Sequence, residues 1–126
     1  MTQEEILEYN KRCADFLGWK LENGTTCLYF HDKRPIGQTW DYKDMRYHSD
    51  WNWIMEVLQK ITSTGYNWEL IDFNGTAEEE EFMRCSIFNL DITKPLYKFK
   101  STSSDAKKAV VETINQFLIW HEENKS

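Results

Sequence analysis

The sequence predicts an α+β fold in which three helices cover an antiparallel sheet of four to five strands, in the order αββαβββα. Two observations carry this prediction. Apolar residues recur at helical spacing in three segments. The segments between them alternate apolar and polar residues around short turns such as Asn23-Gly24. Strands joined by short turns favour antiparallel pairing, and no linker or repeat divides the 126 residues, so we expect a single domain over 1–126.

The first third of the chain is predicted to form a helix and a hairpin. Thr2 and Glu5 make a capping box for a helix over residues 2–17, and Gly18 suits the left-handed position that follows a helix. Two apolar runs, at residues 19–22 and 25–30, flank the hairpin turn at Asn23-Gly24. Residues 31–47 follow no regular pattern and are predicted to be irregular.

The rest of the chain is predicted to form a helix, three strands and a last helix. The second helix begins at Ser49 or Asp50, both good N-caps, and it ends at Gly65. Strands are predicted at residues 66–73, 82–90 and 96–100. The last helix begins near Thr102 with Asp105 as its capping partner, and its apolar stripe continues through residue 121.

Composition and charge restrict the classes of function. Hydrophobic residues make up 40% of the chain and charged residues 29%, which is typical of a globular protein. The net charge of −6 disfavours binding to duplex nucleic acid, because attraction to phosphates supplies most of that affinity. No run of apolar residues is long enough to span a membrane.

The cysteines and the start of the chain predict a reducing compartment. Cys13, Cys27 and Cys85 are odd in number and widely spaced, so we expect three reduced thiols, with Cys13 and Cys85 buried. The opening residues MTQEE lack the basic and apolar segments of a signal peptide. We therefore expect a cytoplasmic location.

Motifs for catalysis, metals and cofactors are weak. The three histidines are isolated and no cysteine pair has metal-ligand spacing, so neither a metal nor a cofactor is expected. No glycine-rich phosphate loop is present. His48 and Asp50 are residue types that carry out acid–base catalysis, so a small hydrolase built around them remains an alternative. The simpler interpretation is that Ser49 or Asp50 caps a helix and His48 precedes it.

The strongest candidate site is the aromatic segment 38–53. A helical wheel places Trp51 on the face of Ile54 and Leu58, so we expect Trp51 in the core and Trp53 exposed. The start of the second helix also offers backbone N–H groups, although neighbouring aspartates favour a protein partner over a phosphate. The alternative is that these rings only seal the core. The predicted binding residues are Trp40, Tyr42, Arg46, Tyr47, His48 and Trp53.

A second candidate site is the basic segment 94–108, which carries five lysines and one aspartate. These lysines, together with an aromatic ring for stacking, are what a binder of nucleotides or single-stranded nucleic acid needs. Scattered surface lysines are the plainer interpretation. The lysines are Lys94, Lys98, Lys100, Lys107 and Lys108.

Three segments resemble the phage ABA sandwich domain, a family of small proteins from phages and prophages of Bacteroidetes-type bacteria. They are NKRCADFLGWK (residues 10–20), YHSDWNWIMEVLQKI (residues 47–61) and AVVETINQFLIWHEENK (residues 109–125). The chain differs from the family pattern at Glu56, where proline is common. The resemblance implies an α/β sandwich and a phage setting, in which the expected cytoplasm is that of the bacterial host, and it implies no activity.

These observations predict a non-catalytic binding protein that acts on a host or phage protein, for example as an inhibitor. Such a protein should expose an apolar patch. The nucleotide-binding alternative should show a pocket that joins aromatic rings to lysines. The hydrolase alternative should show His48 in a cleft, within hydrogen-bonding distance of a carboxylate.

Overall fold

A computed structural model describes residues 1–31, 39–72, 83–89, 93 and 98–124. The predicted α+β class is confirmed, since these residues form three helices and two three-stranded antiparallel sheets. The helices are α1 (Gln3–Phe16), α2 (Trp51–Ser63) and α3 (Ala106–Asn124). The strands are β1 (Lys20–Leu21), β2 (Leu28–Phe30), β3 (Trp40–Asp41), β4 (Tyr66–Asp72), β5 (Met83–Asn89) and β6 (Lys98–Ser103).

The first helix has the ends that its sequence predicts. The Thr2 hydroxyl accepts a hydrogen bond from the backbone N–H of Glu5, and the Glu5 carboxylate accepts one from the N–H of Thr2. At the other end Gly18 has a φ of 89°, and the N–H of Trp19 donates to the carbonyl of Ala14 at 2.9 Å. These bonds make a Schellman motif, which turns Trp19 back into the core.

The first sheet contains the predicted hairpin and one strand that was not predicted. β1 and β2 pair antiparallel across the turn at Gly24, as expected. β3 pairs with the other edge of β2 and places Trp40 opposite Tyr29. The prediction that residues 31–47 are irregular is therefore wrong at β3; residues 32–38 lie outside the described part. A strand of two residues is too short to show an alternating apolar and polar pattern. Only its pairing with β2 defines β3 as a strand.

The second sheet has the order β4-β5-β6, with full antiparallel pairing of β4 to β5. The prediction of one sheet with four to five strands is wrong, because the described residues form six strands in two sheets. The hairpin's outer edge is occupied by β3 and not by a strand from the second half. The predicted turn at Asn74-Gly75 lies outside the described residues.

The two later helices begin at aspartates. Asp50 accepts a hydrogen bond from the N–H of Asn52 at 2.9 Å and so caps α2. Asp105 accepts one from the N–H of Lys107, also at 2.9 Å, at the start of α3. The predicted start near Thr102 is wrong, since pairing with β5 extends β6 through residue 103. The sequence pattern makes Asp105 the capping partner of Thr102. In the structure Asp105 itself accepts a hydrogen bond from the backbone at the start of α3.

One buried cluster draws on all three helices and on both sheets. Cys85 and Ile87 of the central strand β5 face α3, while Arg84, Ser86 and Phe88 face the other side of that sheet. The helices of the described part include none that is long and apolar enough to cross a membrane.

Candidate functional site

Most rings of the predicted aromatic site pack against one another. The Trp53 ring meets Trp40 and Tyr47 edge-to-face, with centroid distances of 5.0 and 4.9 Å. Tyr47 is fully buried, and its hydroxyl accepts a hydrogen bond from Trp19 Nε1 at 3.0 Å. We call Trp19, Trp40, Tyr47 and Trp53 the inner aromatic cluster. These rings pack α2 against the first sheet. Most of the surface of each ring is therefore covered by neighbouring residues and is not available to a partner.

Tyr42 lies apart from this cluster, on the side of the first sheet that faces α1. It is half-buried, and the ammonium of Lys11 sits 4.4 Å from its ring centroid. Its ring also meets Tyr29 edge-to-face at 6.5 Å. Tyr42 therefore helps to hold α1 against the first sheet.

The prediction that Trp51 is buried and Trp53 exposed is wrong. Trp51 is 40% exposed, whereas Trp53 is half-buried against the core. A helical wheel places both rings at the margins of the stripe around Ile54, so it cannot decide between them. The first sheet covers the flank of α2 that carries Trp53. Trp51 lies in the first turn, beyond that cover.

His48 is fixed by a buried asparagine. Asn10 is fully buried, and its Nδ2 lies 3.1 Å from the carbonyl oxygen of Met45 and 3.2 Å from Nδ1 of His48. Because the Met45 carbonyl can only accept, Nδ2 is a donor and His48 Nδ1 is the second acceptor. The neutral ring of His48 then carries its proton on Nε2.

The hydrolase alternative requires a carboxylate beside His48, and the residues that the structure describes give His48 no hydrogen bond to one. Burial lowers the pKa of His48 below its ordinary value of 6.5. Among the described contacts, its hydrogen bond is to an amide and not to a carboxylate. The carboxylate of Asp50 accepts from the backbone of α2 instead.

Arg46 lies on the exposed turn that leads into α2. Its carbonyl accepts hydrogen bonds from the N–H groups of Ser49 and Asp50 at 3.1 and 3.0 Å. Its role in the described structure is thus to form the turn that places His48 beside α1.

A cleft of about 190 Å³ opens where His48 meets the starts of α1 and α3. We call it the N-terminal cleft. Its apolar lining comes from Met1, Ile6 and Val111. Its charged and titratable lining comes from His48, Asp105, Lys107, Lys108 and Glu112. The cleft thus combines an apolar floor with side chains of both charges, which is typical of a binding site for a mixed ligand.

Trp51 flanks this cleft through one of its lysines. The Lys107 ammonium lies 5.9 Å from the centroid of the Trp51 ring, at the outer range of a cation–π contact. Two candidate sites that lie far apart in the sequence, the aromatic segment and the basic segment, therefore meet at this point.

The predicted basic patch is divided in the structure. Lys107 and Lys108 line the N-terminal cleft. Lys98 and Lys100 are exposed on β6 opposite Phe88 and Ser86, on the face of the second sheet that turns away from α3. Lys94 lies outside the described residues. These four lysines therefore form two separate pairs.

A larger cleft, of about 300 Å³, lies at the opposite ends of the helices. Residues near the ends of all three helices line it, including Phe16, Lys60 and His121. The three helices therefore run in the same direction between the two clefts. His121 packs on the rings of Phe16 and Phe117, and none of the predicted site residues lies here. In the described part of the chain, no three His, Cys, Asp or Glu side chains could together hold a metal ion.

Sequence reasoning missed the apolar floor of the N-terminal cleft and the exposure of Trp51. Ile6 and Val111 belong to helical stripes that look like ordinary core, and only the tertiary fold brings them beside His48. Two signals in the sequence did point to this cleft: the clustering of lysines in residues 94–108, which includes Lys107 and Lys108, and the aromatic segment, which includes His48. Comparison of the chain with family models, curated proteins and solved structures gives no match.

Proposed function

We propose that this chain is a non-catalytic binding protein that acts on another protein of the phage or of its bacterial host. The observation that carries the proposal is the 40% exposure of Trp51, whose ring lies 5.9 Å from the ammonium of Lys107, a residue of the N-terminal cleft. A large ring at the edge of a cleft is the usual anchor of a protein interface, because it buries much area at little entropic cost. The phage setting is part of the proposal and rests on the resemblance of residues 10–20, 47–61 and 109–125.

The test is a comparison of variants in capture from a bacterial host lysate. Immobilised wild-type protein, Trp51→Ala and Ile119→Ala are incubated with the same lysate, and bound proteins are quantified by mass spectrometry. Ile119 is the matched control, because it is an exposed apolar residue at the other end of the helix layer, 37% exposed on α3. We expect one protein that the wild type and Ile119→Ala retain and that Trp51→Ala loses. Equal capture by all three would contradict the proposal.

A second candidate function, binding of nucleotides or single-stranded nucleic acid, is favoured by one contact. Lys107 joins the Trp51 ring to a cleft that also holds Lys108, which is the combination of ring and lysines that stacking on a base requires. Titration of a labelled oligo(dT) would test it. Binding that weakens steeply as salt rises, and that Trp51→Ala abolishes, would favour this candidate.

A further inference from the structure

We propose that the N-terminal cleft receives a segment of the partner protein in which a carboxylate side chain lies next to an aliphatic one. This inference rests on the proposed function and adds the chemistry of the bound segment. Three features of the cleft carry it: two lysines that form no ion pair with a described carboxylate, an apolar floor, and an exposed ring at the edge.

The cations are the ammonium groups of Lys107 and Lys108. In the described part of the chain, neither lies within 4.0 Å of a carboxylate, although Asp105 and Glu112 line the same cleft. The Asp105 carboxylate is engaged elsewhere, since it accepts hydrogen bonds from the backbone N–H groups of both lysines. The described carboxylates therefore leave both ammonium groups at this cleft without an ion pair, although that of Lys107 also lies over the Trp51 ring, and a ligand carboxylate complements them.

The floor between these lysines is aliphatic. Val111 is 4% exposed and Ile6 is half-buried, so both present a small apolar surface at the base of the cleft. A side chain such as leucine would cover that surface, at a gain of about 25 cal/mol for each Å² of apolar area removed from water. Met1, 41% exposed at the rim, can fold over such a side chain.

The mixed charges of the cleft favour a peptide over a nucleic-acid strand. A nucleic acid gains affinity by neutralising several phosphates in a row. Here only two lysines, Lys107 and Lys108, stand beside two carboxylates, so the cleft can contact one or two anionic groups and not a row of phosphates. Lys98 and Lys100 cannot extend the row, because they lie on a different face. Trp51 is the only exposed tryptophan among the described residues, so successive bases would find a single platform. A peptide segment needs one anchor and one or two charge contacts.

The experiment is an NMR titration of the full chain with two pools of acetylated, amidated hexapeptides. The acidic pool has Asp or Glu at two positions beside Leu, Ile or Val. The neutral pool replaces those acids by Asn or Gln. A third titration uses an octamer of deoxythymidine. Signals are followed for the Trp51 indole N–H and for the backbone N–H groups of Lys107, Lys108 and Val111.

We expect the acidic pool alone to shift these four signals in a saturable manner. The double variant Lys107→Gln/Lys108→Gln should weaken that binding about tenfold, because both charge contacts are lost. The matched double variant Lys98→Gln/Lys100→Gln removes the same charge from the other face, so it should bind as the wild type does.

Three results would overturn the inference: no shifts with the acidic pool, equal shifts with the neutral pool, or shifts with the oligonucleotide only. Failure of the inference is distinguishable from failure of the proposed function. A partner captured through Trp51 that also binds the Lys107→Gln/Lys108→Gln variant would leave the function standing and the peptide chemistry wrong.

Discussion

At the scale of single residues, Asn10 is the side chain that ties the site to the fold. Its amide joins α1 to the carbonyl of Met45 and to His48 across 35 and 38 residues of sequence. Because Asn10 is fully buried, no water replaces its donors when the side chain is shortened. The position of His48, and with it one wall of the N-terminal cleft, depends on this amide.

Replacing Asn10 by alanine should lower the free energy of unfolding by about 2 kcal/mol, since it leaves the Met45 carbonyl without a buried donor. Urea denaturation measures this change as a lower midpoint. Asn52→Ala is the control, because Asn52 is exposed on α2, and it should change the free energy by less than about 0.5 kcal/mol. Equal effects of the two substitutions would show that the Asn10 amide is not a structural link.

His48 should make stability depend on pH in a defined direction. Burial lowers its pKa in the folded protein below 6.5, so the unfolded chain binds the proton more readily. Its contribution to stability is therefore complete above pH 6.5 and is lost as pH falls through the lower, folded pKa. The Cε1 proton of His48 should titrate in NMR with a midpoint below 6.5. A midpoint above 6.5 would contradict the partial burial of the His48 ring in this structure.

At the scale of elements, the helix ends are where local sequence decided the structure. The Thr2–Glu5 capping box and the Gly18 termination of α1 both formed where the sequence predicts them. At α2 the sequence offered two caps, Ser49 and Asp50, and the structure uses Asp50. Caps are predictable because their bonds join residues two to six positions apart.

Asp50→Ala should therefore lower the free energy of unfolding by about 1 kcal/mol, through loss of the cap of α2. Ser49→Ala is the matched control; Ser49 is exposed and should tolerate the change. Thermal or urea denaturation of both variants measures the difference. If Ser49→Ala costs as much as Asp50→Ala, the cap has been assigned to the wrong residue.

Pairing between strands was predictable only where a turn fixes it. The Asn23-Gly24 turn dictated the pairing of β1 with β2, whereas β3 joins them across a connection of nine residues. The prediction that Trp51 is buried and Trp53 exposed is wrong for the same reason. The neighbours that cover Trp53 come from β3 and from residue 47, and no local pattern on α2 specifies them.

At the scale of the whole molecule, three helices that run in the same direction place their starts at one end. The N-terminal cleft is assembled there from residue positions 1, 6, 48 and 105–112. No single stretch of sequence contains such a site. The sequence could therefore indicate its lysines and its histidine, but not that they lie in one cleft. The exposure of Trp51 and its contact with Lys107 at this cleft became visible only in the fold.

Thiol labelling tests whether the core is as closed as the structure implies. Cys13 and Cys85 are fully buried, and burial raises the pKa of both thiols, that of Cys85 to about 11. Cys27 is half-buried ahead of β2. In native buffer near pH 8 we expect one fast-labelled thiol in the intact mass, and two that react only as denaturant opens the core. Rapid labelling of all three would contradict this packing.

The most direct test of the central claim is the affinity of the captured partner for Trp51→Ala, measured by calorimetry beside the wild type and Ile119→Ala. If Trp51 anchors the interface, its removal should weaken binding about 30-fold, as loss of an interface hot spot does. Ile119→Ala should bind within about twofold of the wild type. A Trp51→Ala variant that keeps wild-type affinity would show that this end of the molecule is not where the protein acts.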